Sequence, residues 1–183
     1  MADTQNIEVR ELEFRDIELL ADYWMLSDPN HLVSMGVDLS KIPLREDLVS
    51  NLRSQLDYSV EKKQSYALIW EQNGKQIGHT NVNQIDFGKQ AYMHLHLWNS
   101  ANRQKGLGAV LVQKSLPYFF EQLKLKTLYC EPYSLNPAPN KILEKMGFEF
   151  VKTHVTIPGT LNFEQEVNLW KLTRERYVKK YNP

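Results

Sequence analysis

The sequence contains one cysteine, Cys130, in 183 residues, so no disulfide closes within the chain and no cysteine-based zinc cluster forms from it alone. A reducing compartment is compatible with that scarcity. Net charge is also missing: 22 Lys and Arg balance 22 Asp and Glu, leaving no global field to draw the chain to nucleic acid or an anionic membrane. Any basic site is local. No uninterrupted apolar run is long enough to span a bilayer, and Met1-Ala2-Asp3-Thr4-Gln5-Asn6 lacks the apolar centre of a secretory leader. There is no internal repeat and no low-complexity tract. The expectation is a soluble cytoplasmic protein, and the 42% hydrophobic content supports a single domain over 1–183 with a substantial core.

What is present alternates in type. Ile7 to Phe14 has the period of a strand, broken in phase at Glu11-Leu12. Asp16 is placed to cap a helix running to Leu26, which Asp28-Pro29-Asn30 stops. His31 to Leu44 is irregular, and Leu48, Val49, Leu52 and Leu56 predict a second helix from Arg45 to Tyr58. Tyr66–Trp70 and Gln76–Ile85 flank Asn73-Gly74, the dipeptide of a tight hairpin. A turn at Asp86-Phe87-Gly88-Lys89 leads into the strand Tyr92–Trp98. A helix over Leu107–Leu123 then crosses over to a short strand at Thr127–Glu131, which predicts parallel pairing. Asn136–Lys145 reads as a helix ended by Gly147, with Phe148–Val155 and Glu166–Leu172 as closing strands.

Arg103-Gln104-Lys105-Gly106-Leu107-Gly108 falls where an apolar strand hands over to an amphipathic helix. A helix start presents unpaired N–H groups and the positive end of its dipole, and glycine lets an anion approach that backbone. Alone, the run reads equally as a plain turn or as a phosphate cradle. Asn136 and the helix ending Lys145-Met146-Gly147-Phe148 follow it, one helix and one strand later.

In that order, these motifs resemble the GNAT superfamily of acetyl-CoA-dependent N-acetyltransferases over nearly the whole chain, with a pattern closest to the ribosomal-protein N-terminal acetyltransferase-like branch. The resemblance implies an α/β fold of the α+β kind. Its mixed, mostly antiparallel sheet has roughly seven strands, with helices on both faces and strands splayed at the cofactor site. It implies that acetyl-CoA is bound at Arg103, Gln104, Lys105, Gly106, Leu107 and Gly108, with no metal. Leu97 and Trp98 would lend backbone groups to pantetheine, and Asn136 would reach the same arm. The bland reading of Asn136 is a loop residue satisfied before a helix.

Proton handling departs from the family pattern. The tyrosine many relatives carry falls at Leu143, and the serine of nearer relatives at Pro139. For a base, Tyr92, His94, His96 and Trp98 share one face of a strand, which makes His96 the leading candidate and His94 the second. Both are also explained as packing beside aromatics. Glu131 and Tyr129 are weaker alternatives, and Cys130 reads as a small buried hydrophobe. His94, His96 and His79 raise a metal reading that the family chemistry does not require. Arg174, Arg176, Lys179 and Lys180 read as a solvated charged tail. The expected function is direct acetyl transfer to a primary amine in a ternary complex, in a chain for which a homodimer stays open. The competing class is a coenzyme A-binding module without catalysis. The loops His31–Leu44 and Ile157–Phe163 are expected to shape the acceptor site.

Overall fold

The computed structural model describes residues 6–98 and 106–181. Its strands form one seven-stranded sheet in the order β1-β2-β3-β4-β5-β7-β6. β1 (Ile7–Glu11), β2 (Tyr66–Gln72), β3 (Lys75–Asp86) and β4 (Gln90–Leu97) pair antiparallel in succession. β5 (Thr127–Cys130) joins β4 in parallel, as the intervening crossover predicts. β7 (Gln165–Thr173) lies antiparallel to β5, and β6 (Glu149–Thr156) closes the edge. The β2–β3 turn has both central residues at positive φ, 52° at Asn73 and 73° at Gly74, which is the twist a two-residue hairpin needs.

α1 (Ile17–Leu26) and α3 (Arg45–Asp57) cover one face. α4 (Leu107–Pro117), α5 (Pro137–Met146) and α6 (Arg174–Tyr181) cover the other. There Val112, Leu116, Phe119 and Phe120 meet Leu68, Val82, Met93 and Leu128 in the main core. Among the described residues no helix is long and apolar enough to cross a membrane.

Four local expectations are corrected. Asp16 does not cap α1 with its side chain. Its carboxylate is taken by Arg10, at 2.6 and 2.8 Å, and by the Glu13 amide at 2.9 Å. The irregular stretch after Asp28 contains α2 (Pro29–Ser34), because the Asp28 side chain accepts from Asn30 N at 2.8 Å and Pro29 suits a first helical position. The helix expected to Leu123 is α-helical to Pro117 and then widens into a π turn over Tyr118–Gln122. Pro117 has no N–H to hold the tighter register. The charged tail is α6: Tyr177 is buried and stacked on Phe120 at 4.4 Å, and the Arg174 guanidinium bonds Leu125 O and Phe120 O. One buried ring among charged neighbours leaves too narrow an apolar stripe to show in periodicity.

Candidate active site

β4 and β5 pair only from Gln90↔Thr127 to Met93↔Cys130. β4 continues to Leu97 alongside β3, while the chain after Cys130 stays with β7. Asn168 N donates to Pro132 O at 3.1 Å, and Tyr133 bridges to Val167. The two central strands therefore part, and a seam opens in the middle of the sheet. Successive residues of a strand direct their backbone groups to opposite edges. Trp98 N donates to Ile77 O at 2.9 Å, on the β3 side. Its amide is thus spent within the sheet, and alternation turns the backbone of Leu95 and Leu97 to the seam.

α4 starts beside this seam. Gly106 precedes it at φ 73°, a left-handed conformation that favours glycine, and a Cβ there would meet open space. At Gly108 a Cβ would lie 2.6 Å from Ile142 Cδ1, the end of a flexible side chain, which marks a close approach of α4 to α5. The Leu107 side chain is buried in the core. Arg103, Gln104 and Lys105 lie outside the described residues. Asn136 stands at the start of α5 with no side-chain bond to the helix, so its amide is not spent on capping.

A cleft of about 170 Å³ runs through the seam. Cys130, Asn136 and Pro139 line one side, and Asn81, Asn83 and His94 the other. Its roof joins the two loops expected at the acceptor site. Val37 bridges to Asn162, Asp38 N donates to Leu161 O at 2.8 Å, and Asn162 Nδ2 donates to Gly36 O at 2.8 Å. Gly36 sits at φ 84°, and a Cβ there would lie 2.0 Å from Gln165 Oε1. The close approach and the backbone both demand glycine.

The strand histidines differ in setting. His96 is buried in an aromatic box, stacked on His79 at 4.5 Å and edge-on to Tyr23 and Trp24. Its Nδ1 is 3.1 Å from the Tyr23 hydroxyl, and His79 Nδ1 accepts from the Trp98 indole at 2.7 Å. His94 faces the cleft, and its Nε2 is buried with no partner. Burial pushes His79 down to about 3 and His94 to about 4, and it takes His96 well below its ordinary value. All three imidazoles are neutral near pH 7. The stacked rings of His79 and His96 do not converge on a point, and among the described residues no group of three or more His, Cys, Asp or Glu side chains is placed to hold a metal.

Glu131 also lines the cleft, where the seam opens, with Oε1 3.1 Å from His154 Nε2. Burial raises its carboxyl, against His154 and Lys152, which lower it. Cys130 is buried, with Sγ 3.1 Å from Met93 O, and burial pushes its thiol up to about 12. The helix after the seam offers no acid. Leu143 is in the core, and Asn140 is fully engaged: its Nδ2 donates to Asn136 O and its Oδ1 accepts from Asn168 and Trp170. Sequence reasoning missed His154, Asn83, Gln165 and Tyr133 at this site. They come from β6, β3, β7 and a loop, and no spacing along the chain links them.

A family model described as an acetyltransferase (GNAT) domain matches residues 6–149. A sequence comparison with curated proteins finds no match. In structure the chain is similar to a spermidine N-acetyltransferase from Vibrio cholerae, in complex with CoA and spermine, with 16% identity, coverage of 94% of this chain and 98% of that one, and a TM-score of 0.76. It is similar to an aminoglycoside acetyltransferase in complex with coenzyme A, with 19% identity, coverage of 96% and 99%, and a TM-score of 0.72. A ribosomal-protein alpha-N-acetyltransferase in complex with coenzyme A gives 12% identity, coverage of 94% and 97%, and a TM-score of 0.76. The mostly antiparallel sheet, its parted central strands and the family match together place the chain in the GNAT acetyltransferases, an acetyl-CoA-dependent family to which it belongs.

Proposed function

We propose that the protein transfers acetyl from acetyl-CoA to a primary amine by direct attack within a ternary complex. The observation that carries this reading is the seam between β4 and β5, through which one cleft connects the start of α5 with the loops over His94. A thioester laid in that seam meets the backbone of Leu95, and an N–H preorganised there stabilises the carbonyl oxygen as it gains charge. Asn136 has an amide available for the pantetheine arm. The N-terminus of α4 after Gly106, with Arg103, Gln104 and Lys105 before it, takes the pyrophosphate.

On the acceptor side His94 offers a neutral ring nitrogen to an amine N–H. His96 stands behind it and supports α1 through Tyr23. Cys130 remains a thiol at neutral pH, which fits transfer without an acyl-enzyme. Thiol release from acetyl-CoA, measured across alkylamines, aminoglycosides and N-terminal peptides, tests the reading. Release that depends on the amine is expected, with His94→Ala lowering turnover by about tenfold or more while coenzyme A affinity is kept. Tight coenzyme A binding with no turnover on any amine would mark a binding module instead.

A further inference from the structure

Three polar atoms that line the cleft are buried without a partner: Asn83 Oδ1, His94 Nε2 and Gln165 Oε1. The Gln165 oxygen is fixed by its neighbour, since Nε2 already donates to Gly36 O at 3.0 Å and Phe163 O at 3.2 Å. His94 Nε2 accepts when Nδ1 holds the proton. The Gln165 and Asn83 oxygens ask for a donor, and His94 Nε2 joins them in that tautomer. The described lining has no Lys or Arg side chain, and its carboxylate is Glu131. Such a site suits a ligand that brings several N–H donors and a positive charge. A peptide fits it less well, because each residue adds a carbonyl that needs a donor.

Glu131 occupies the place where such a charge settles. Its side chain is 11% exposed, and His154 holds it at 3.1 Å from across the sheet. His154 Nδ1 is itself buried without a partner, so its Nε2 contact with Glu131 is what positions the ring. We propose that the acceptor is a small alkylamine entering as its ammonium, and that Glu131, set by His154, binds it and takes the proton it must lose before attack. This rests on the acetyl-transfer reading above. The ammonium gives one proton to the Glu131 carboxylate, and its freed lone pair forms the N–C bond to the acetyl carbon. The C–S bond breaks with its electron pair going to sulfur, the nitrogen's surplus proton balances the thiolate as thiol, and Glu131 returns its own proton to water. Amide, thiol and one released proton result.

The electrostatics agree with this division. Burial makes a carboxylate a stronger proton acceptor and an imidazole a weaker one, so Glu131 gains what His94 and His96 lose. The groups facing Glu131 are Lys152 and His154 on β6, Tyr92 and His94 on β4, and Cys130 and Tyr133 on its own segment.

The test titrates the coenzyme A-loaded protein with putrescine by calorimetry and measures kcat/KM for the same amine with acetyl-CoA. Glu131→Gln is expected to weaken putrescine about tenfold or more and to lower kcat/KM about hundredfold, with coenzyme A affinity unchanged. His154→Ala removes a group that keeps Glu131 ionised, so the acid limb of kcat/KM moves to higher pH. His154→Gln, which retains a donor at the Nε2 position, moves it back. Smaller losses in Glu131→Gln, or an acid limb that stays in place in His154→Ala, overturn the proposal. Putrescine bound through Glu131 but never acetylated overturns the acetyl-transfer reading and the proton step with it. Acetylation of peptide N-termini without binding of putrescine overturns only the inference drawn here.

Discussion

On one face of the sheet, α4, α5 and α6 enclose Val112, Phe119, Leu143 and Tyr177 in an apolar layer. On the other, α1 closes over His79 and His96, and its Tyr23 reaches a histidine 73 residues away. The first face is held by hydrophobic burial, which is non-directional and insensitive to protonation. The second joins apolar clusters around Leu20 and Leu32 to buried polar groups whose partners come from distant parts of the chain, and an unmade bond there costs the full desolvation of the group left behind. The donor side of the seam thus rests on a pH-indifferent core. The acceptor side rests on neutral imidazoles and one buried ion pair.

Acid is the strongest way to separate the two faces. The unfolded chain protonates His79 and His96 near pH 6.5, whereas the fold holds His79 neutral to about 3 and His96 well below its ordinary value. Between those limits the unfolded state binds more protons, so stability falls as pH drops, by up to about 1.4 kcal/mol per pH unit for each histidine. Hydrogen exchange between pH 7 and 5 should show α1 losing protection before α4. Equal loss in both helices would erase the distinction between the faces.

Arg10→Leu comes next in size. It strips the partner from Asp16, whose side chain is 1% exposed, and is expected to cost about 3 kcal/mol in urea unfolding at pH 7. The pH response then reverses. In the native protein burial raises the Asp16 carboxyl, but Arg10 and the Glu13 amide outweigh it and hold the carboxyl below its usual range. That stabilisation is present above about pH 4 and is lost as pH falls through the folded value. In Arg10→Leu burial is opposed by the Glu13 amide and Arg15 without the Arg10 guanidinium, so acid relieves part of the defect. A variant that destabilises α1 and α4 amides equally would show that the ion pair serves both faces.

The smallest effects distinguish two asparagines one helical turn apart. Asn140→Ala leaves the Asn168 amide and Trp170 indole without their acceptor and should cost about 2 kcal/mol in thermal or urea unfolding. Asn136→Ala should change stability by no more than about 0.5 kcal/mol. It should instead weaken coenzyme A about tenfold by calorimetry. Exchange of these two outcomes would assign the cofactor contact to Asn140.

The same contrast explains what could be read beforehand. Strands β2 to β5, helices α4 and α5, the Asn73-Gly74 hairpin and the Gly147 helix ending were legible because each is announced by residues within one turn or one strand period. Gly106 and Gly108 were recognised for a shared role at a phosphate. Their geometry adds a left-handed φ at the first and a close helix contact at the second. His94 and His96 were rightly placed on one strand face, but chain position could not tell which ring would be boxed by Tyr23 and which would meet the cleft. α2 was hidden because its cap, Asp28, lies in the Asp28-Pro29-Asn30 run that reads as a helix stop.

The order of elements, the crossover that makes β4 and β5 parallel, and the glycine and asparagine motifs of the donor half were determined by the sequence itself, because hydrophobic period and turn chemistry act over a few residues. Only the tertiary structure decided that Glu131 meets His154, that Gln165 and Asn83 turn unpaired oxygens into the cleft, and that burial keeps the histidines neutral. Burial and long-range pairing depend on which segments lie side by side in space, and the spacing of residues along one strand or helix carries no record of that.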